Sequence, residues 1–305
     1  MRDFKQELAV LLGEDGEKNR RIRTEEAMSR HTTFRIGGPV QYFVTPKDAK
    51  ELAACVALCR ETGVPWFILG NGSNLLVSDR GWRGAVISTE NLNALKVSGT
   101  VLHAGAGCLL SQAARRAKDE GLTGFEFAAG IPGTVGGALV MNAGAYGSEI
   151  KDVLVSALVL DSDGTIHTLP AGELGLGYRT SRIPGEGYVV LEAEFQLREG
   201  DRENIGKRME ELAFLRKSKQ PLQYPSAGST FKRPAGYFAG KLIDDAGLRG
   251  FQIGGAQVSE KHCGFVINKD HATAEDVLEL CEEVKRRVKA QAGVELELEI
   301  KRLGF

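Results

Sequence analysis

Gly130-Ile-Pro-Gly-Thr-Val-Gly-Gly-Ala-Leu-Val-Met-Asn-Ala-Gly-Ala-Tyr-Gly147 is the stretch whose reading decides the fold. Glycines at 130, 133, 136, 137, 144 and 147 leave few side chains to hold a ligand away, so backbone amides can lie against something flat or phosphorylated. One such run also suits a plain turn between a strand and a short helix. A second run, Leu69-Gly-Asn-Gly-Ser-Asn-Leu-Leu76, follows Val64 to Leu69, which reads as a buried strand. Two amide-rich loops point to one large, extended ligand.

Neither loop is a common nucleotide motif. The dinucleotide pattern Gly-x-Gly-x-x-Gly is absent, because Gly70-Asn-Gly72 is followed by Ser73-Asn74-Leu75 and Gly105-Ala-Gly107 by Cys108-Leu109-Leu110. Gly236-Tyr-Phe-Ala-Gly-Lys241 is one residue short of a phosphate loop and has Leu242 where a magnesium-binding hydroxyl belongs. Rossmann and nucleoside-triphosphatase readings both fall.

At 305 residues the chain is long enough for two or three units. Its net charge of −1, with 26% charged residues of mixed sign, argues against a nucleic-acid binder. The apolar run Leu8 to Leu12 is broken by Gly13-Glu14-Asp15 and is too short for a signal peptide or a membrane span, so the expectation is a cytoplasmic protein. The cysteines at 55, 59, 108, 263 and 281 lack metal spacing, and their odd number argues against a disulfide framework. With Leu52 and Val56, Cys55 and Cys59 read as the core face of a helix. No two of the five histidines pair at i, i+4, so no metal is expected.

In chain order, a first helix gives way to a charged connector, Glu14 to Arg23. A strand from Gln41 to Thr45 follows, then a helix opened by Pro46-Lys-Asp48 and ending near Gly63. Strands are expected at Ala85 to Ser88 and Val101 to Ala104, and a helix at Leu109 to Glu120. Val153 to Asp161 and Thr165 to Leu169 flank Ser162-Asp-Gly164 as a hairpin, and Tyr188 to Arg198 forms a further strand. Composition shifts at Glu199-Gly-Asp-Arg-Glu203, opening a helix to about Lys217. The last third reads as helix (Phe238 to Ala246), strand (Gly264 to Asn268), helix (Ala274 to Ala292, capped by Thr273) and strand (Val294 to Ile300). The alternation Glu295-Leu-Glu-Leu-Glu-Ile300 puts three glutamates on one strand face and does not choose among them.

Seven motifs in order carry a resemblance over roughly residues 20–304. They are Thr33-Phe-Arg-Ile-Gly-Gly38, Leu69 to Leu76, Gly130 to Gly137, Asn142-Ala-Gly-Ala-Tyr-Gly147, Tyr178-Arg-Thr-Ser181, Ala227-Gly-Ser-Thr-Phe-Lys232 and Glu299-Ile-Lys-Arg-Leu-Gly304. The chain resembles the UDP-N-acetylenolpyruvoylglucosamine reductases, also called UDP-N-acetylmuramate dehydrogenases, flavoenzymes of peptidoglycan precursor synthesis. The resemblance implies an α+β fold. A two-subdomain FAD-binding region of the vanillyl-alcohol-oxidase (PCMH) type would occupy 1–198, with subdomains about 1–84 and 85–198. A C-terminal α+β substrate domain would occupy 199–305, its last strand returning toward the flavin. NADPH would reduce a non-covalent FAD, and hydride would then pass to the enol ether of a UDP sugar, with no nucleic-acid partner and no membrane insertion.

The same resemblance assigns residues. Arg179 would stabilise the substrate carboxylate, Ser229 would donate the proton, and Glu299, chosen because it stands five residues before Gly304, would assist at the enol. FAD would be held by Arg35, Gly70, Asn71, Gly72, Ser73, Asn74 and Leu75, by Gly130, Ile131, Pro132, Gly133, Thr134, Gly136 and Gly137, and by Asn142, Gly144 and Ala145. Tyr178, Lys219 and Arg233 would bind substrate. Arg233 stands where longer family members carry Asn, which matches the shorter subclass. Two other functions compete for the same residues: an FAD-dependent oxidase of the same fold acting on a small alcohol, and a non-catalytic nucleotide-sugar binding protein.

Overall fold

The computed structural model describes residues 3–13 and 21–305; of the charged connector, residues 14–20 lie outside the described residues. The chain divides into two compact units: Met1–Thr24, Tyr42–Asn71 and Gly84–Leu215 in the first, and Glu25–Gln41, Gly72–Arg83 and Arg216–Phe305 in the second. Among the described residues, no helix is long and apolar enough to cross a membrane.

The first unit holds two cores. One gathers Phe4, Leu8, Val44, Leu52, Cys55, Val56, Cys59 and Ile87. Its helix Ala49–Thr62 begins at the Asp48 cap, whose side chain accepts from the amide of Glu51, and stops at Gly63 with φ +71°. The cap is the last residue of the Pro46-Lys-Asp48 opening, and its carboxylate can accept a hydrogen bond from the first turn. Leu52, Cys55, Val56 and Cys59 form the buried face, as their spacing predicts. Trp66–Leu69 runs parallel to the end of Trp82–Ser88, from Ala85 to Ser88, and is half-buried until Leu69.

The other core of this unit sits on a five-stranded antiparallel sheet, ordered Ile166–Pro170, Leu154–Leu160, Val189–Gln196, Val101–Gly105, Leu95–Ser98. The expected hairpin is present. Asp161 closes its turn: its amide donates to the Thr165 carbonyl, and its Oδ1 accepts from the amides of Asp163 and Thr165. Leu95–Ser98 is a further strand, which the sequence does not announce because the four residues Leu-Lys-Val-Ser are too short an alternation to stand out from a loop. Phe125 packs edge-on against Phe127 and at a tilt against Phe195, the ring centres of Phe125 and Phe195 being 4.9 Å apart.

The second unit buries Phe34, Ile36, Leu76, Ile243, Val258, Val266, Val277, Leu280, Cys281 and Val284 together. Its long helix, Ala274–Ala292, has the bounds expected. Thr273 accepts from the amide of Asp276, the Asp276 carboxylate accepts from the amide of Thr273, and Gly293 ends the helix at φ +69°. Replacing Thr273 with alanine is expected to cost about 1 kcal/mol, read as a lower midpoint in urea unfolding; an unchanged midpoint would show that the cap is redundant.

The expected strand Val294 to Ile300 is replaced by something else. Residues 294–300 form no regular strand and, among the described residues, make one isolated bridge, Leu298 with Phe231; the regular strand is Lys301–Leu303, parallel to Leu75–Val77.

All five cysteines are free and buried. Loss of hydration pushes the thiols of Cys55, Cys59 and Cys281 up to about 12 and those of Cys108 and Cys263 up to about 11. Only the thiolate attacks an alkylating reagent. Native protein at pH 8 is therefore expected to take up a thiol reagent only after denaturant is added, followed by mass spectrometry; prompt labelling of any one cysteine in native buffer would contradict this burial.

Candidate active site

In the first unit the two glycine-rich loops touch. Asn71 donates from Nδ2 to the Pro132 carbonyl at 2.7 Å, and a Cβ on Gly70 would lie 2.4 Å from Thr134 Oγ1. Several glycines are thus forced by protein neighbours rather than by clearance for a ligand. A Cβ on Gly136 would be 3.1 Å from that of Ala106, and one on Gly144 2.7 Å from that of Glu149.

The amides of the run are not equally available. Ile131 donates to the Ala128 carbonyl, Val135 to Cys108 and Gly136 to Ala106, while Gly137 donates to the Thr134 hydroxyl as a helix cap. The amides of Ile131 and Gly136 are thus spent within the protein. Among the described residues no protein acceptor takes the amides of Gly133 and Thr134. Beside them Gly137 is exposed, and a Cβ there would meet only Thr134 Oγ1, at 3.6 Å. Unspent donors beside open space suit an anionic diphosphate such as that of FAD.

Asn142 is fully buried and its side chain is committed within the protein. Nδ2 donates to Glu149 Oε2 at 2.7 Å and to the Gly177 carbonyl at 3.0 Å, and Oδ1 accepts from the amide of Lys151. Its amide donates to Leu139. Gly177 opens the turn that carries Tyr178 and Arg179, closed by reciprocal bonds between Gly177 and Thr180. Ser181 anchors the far side by donating to the Val140 carbonyl at 2.8 Å. Tyr178 is exposed. Arg179 is half-buried, donates from Nη2 to the Gly144 carbonyl at 3.3 Å and lies 5.5 Å from the centre of the Tyr178 ring.

In the second unit, Thr33 to Ile36 forms a turn in which Phe34 and Ile36 are buried and Arg35 projects outward. Thr33 donates from its hydroxyl to the Ser226 carbonyl at 2.6 Å, so this turn is tied three residues ahead of Ser229. Gly72, at φ +59°, sits where a Cβ would be 2.0 Å from the His31 carbonyl oxygen. After it, the amides of Ser73 and Asn74 find no protein acceptor among the described residues. The Asn74 side chain donates to the Glu299 carbonyl at 3.2 Å, and the amide of Lys301 donates to the Asn74 carbonyl. Leu75 begins the strand paired with Lys301.

Ser229 follows Gly228, at φ +76°, and is exposed, whereas its neighbour Thr230 is fully buried. The amide of Glu299 donates to the Thr230 carbonyl at 2.9 Å. Of the three alternating glutamates, Glu295 pairs with Lys289 and Glu297 with Lys232, both glutamates being exposed; Glu299 is half-buried. That separates Glu299 from the other two in a way periodicity alone did not. Lys219 is exposed at the end of the helix Arg202–Lys219. Arg233 donates to the Tyr237 carbonyl and stacks 3.9 Å from the ring centre of Phe238.

Six described non-glycine residues have positive φ, and three of them, Arg35, Asn142 and Arg179, are among the residues expected at the site. Such backbone costs of order 1–3 kcal/mol and persists only where neighbours over-determine it, as the bonds around Asn142 and the Gly177–Thr180 turn do.

Residues 40–170 match the FAD binding domain family, which sets the class as a flavin-binding oxidoreductase. Residues 220–303 match the model described as UDP-N-acetylenolpyruvoylglucosamine reductase, C-terminal domain. A reductase of that name from Lachnoclostridium phytofermentans is 54% identical over 289 residues, 93% of each chain. One from Clostridium tetani is 49% identical over 304 residues, 100% of this chain and 98% of the other. A solved UDP-N-acetylenolpyruvylglucosamine reductase from Thermus caldophilus superposes with a TM-score of 0.80 at 39% identity, covering 93% of this chain and 100% of that one. The chain belongs to the UDP-N-acetylenolpyruvoylglucosamine reductase family.

Proposed function

We propose that this protein reduces the enolpyruvyl group of UDP-N-acetylglucosamine enolpyruvate to give UDP-N-acetylmuramate, a cytoplasmic step of peptidoglycan precursor synthesis, with non-covalent FAD and NADPH. The observation that carries the reading lies in the second unit. Asn74, from the loop assigned to FAD, bonds the Glu299 carbonyl, and the Glu299 amide bonds Thr230 beside Ser229. FAD-binding function is assigned to residues 1–198 and substrate binding to 199–305. In support, the two matched family regions fall on either side of that boundary.

Bound FAD, once reduced, supplies hydride. The amides of Gly133 and Thr134 in the first unit, and those of Ser73 and Asn74 in the second, meet no acceptor among the described residues, and each pair would be available to its diphosphate. Hydride addition at the terminal enol carbon builds negative charge on the carbon bearing the carboxylate. Arg179 meets that carboxylate with a permanent, bidentate cation. Ser229 Oγ holds the proton delivered to that carbon; a weak acid suffices for so basic a centre when it is well placed and shielded from water. Glu299 assists at the enol. Asn142 acts one step back, fixing Gly177 and hence the turn that presents Arg179. Lys219, Arg233 and Tyr178 are assigned to the remainder of the sugar nucleotide.

The test begins with the absorption spectrum. Purified protein is expected to carry, or to take up after incubation with FAD, about one flavin per chain, released on denaturation, and NADPH is expected to bleach it. A chain that stays colourless after incubation with FAD is a binding protein and not this reductase.

A further inference from the structure

Thr230, next to Ser229, is bonded to two other backbone segments, one holding Gly264 and Val266 and one holding Glu299. Its amide donates to the Gly264 carbonyl at 2.9 Å, and its carbonyl accepts from the amide of Glu299 at 2.9 Å. Its hydroxyl accepts from the amide of Val266 at 2.8 Å. The side chain is fully buried, with relative exposure 0%. On one side, residues 230–232 run antiparallel to 297–299, through the Glu299 bond, the bond from the Lys232 amide to the Glu297 carbonyl, and the Phe231–Leu298 bridge. On the other side, Ser226 bridges Ile267, and the strand Val266–Asn268 pairs with Ala256–Val258 in the core sheet of this unit.

We infer that Thr230 is a positioning residue for the proton-transfer step, fixing the spacing between Ser229 and Glu299 by bonding the segment that carries Ser229 to Gly264 and Val266 on one side and to Glu299 on the other. The inference rests on the roles proposed above for Ser229 and Glu299. The physical argument concerns the contribution of one hydroxyl. The backbone bonds to Gly264 and Glu299 are available to any residue at 230, but only a side-chain acceptor satisfies the Val266 amide, which otherwise stays buried and unpaired. That amide sits in a core strand, whereas Ser229 precedes Thr230 at the exposed end of an irregular segment behind a left-handed glycine. The hydroxyl therefore transfers the rigidity of the sheet to a stretch that has little of its own. Because proton delivery depends on sub-ångström placement, a displacement of about 1 Å is enough to cost about 10²-fold in rate.

The experiment compares Thr230→Val, nearly the same shape without the acceptor, with Thr230→Ser, which keeps it, in the full-length FAD-loaded enzyme. For Thr230→Val, discharge of the reduced enzyme by the enolpyruvyl sugar nucleotide should slow by about 10- to 100-fold, and reduction by NADPH should change by less than about twofold. Thr230→Ser should restore most of the lost rate. Amide hydrogen exchange is the second readout: protection at Val266 and Glu299 should fall in Thr230→Val and return in Thr230→Ser. Equal slowing of both half-reactions, or no change in either, overturns the inference, as does loss of activity with exchange at Glu299 unaltered. Should the Thr230→Val chain not fold, Thr230→Cys carries the same comparison, because a thiol is a weak acceptor. If the unsubstituted reduced enzyme is itself not discharged by the sugar nucleotide, the proposed function has failed, and the exchange data still decide whether Thr230 couples Val266 to Glu299.

Discussion

Ser229→Ala is expected to leave reduction of FAD by NADPH within about twofold of the parent while slowing product formation by about 10²–10⁴-fold, the range a positioned general acid contributes. The asymmetry follows from the order of events. Reduction by NADPH needs no proton from the protein to a substrate carbon, so a lost hydroxyl should be invisible there. In the second half-reaction the hydroxyl is the proton source at the carbon where negative charge gathers. Removing Oγ from an exposed side chain deletes no core contact, so the variant should fold as the parent does. Rapid-mixing absorbance of each half-reaction, measured separately, distinguishes the outcomes. Equal slowing of both would place Ser229 in cofactor binding instead, and product formation at the parent rate would remove it from the reaction.

Arg179→Ala is expected to lower kcat/KM for the sugar nucleotide by about 10²–10³-fold, the usual loss when one preorganised group that stabilises transition-state charge is deleted. Arg179→Lys should recover only part of it. A lysine is a point charge without the planar fork that matches a carboxylate, and it would have to hold the same positive φ of 54°. The turn itself should survive, since its closure rests on Gly177, Thr180 and the Asn142 side chain rather than on the guanidinium. Steady-state kinetics with the sugar nucleotide varied provides the check. Full activity in Arg179→Lys would mean that charge alone is needed; near-parent activity in Arg179→Ala would mean that the carboxylate is bound by another group.

The helix Ala274–Ala292 was legible from the sequence to the residue, because a capping box, a regular apolar stripe and a terminal glycine all act within the segment. The hairpin about Ser162-Asp-Gly164 was legible for the same reason. What the sequence hid depends on partners distant in the chain. Glu295 to Ile300 has the period of a strand, yet the only bridge it forms among the described residues is with Phe231, more than sixty residues earlier, and the ladder starts at Lys301. The glycines at 70, 72, 136 and 144 looked like clearance for a ligand. Their Cβ positions are instead filled by Thr134, His31, Ala106 and Glu149, and the amides left for a ligand are a smaller set than the glycine count implied.

The candidate site divides along the same line. Motif order offers Arg179, Ser229 and Glu299 as candidates, and the structure adds that Glu299 is half-buried where Glu295 and Glu297 are exposed. Asn142 lay inside a quoted motif but carried no sign that both ends of its side chain are used in holding turns. Thr230 likewise looked like one more polar residue after a glycine. Its importance rests on the Val266 amide, and no local pattern announces that bond.

The most direct measurement is anaerobic mixing of the NADPH-reduced enzyme with UDP-N-acetylenolpyruvoylglucosamine, followed at the flavin absorption band and by product analysis. The account predicts full return of the oxidised spectrum without oxygen, with about one equivalent of UDP-N-acetylmuramate formed per flavin. A reduced spectrum that persists until air is admitted, with the sugar nucleotide recovered unchanged, would contradict it.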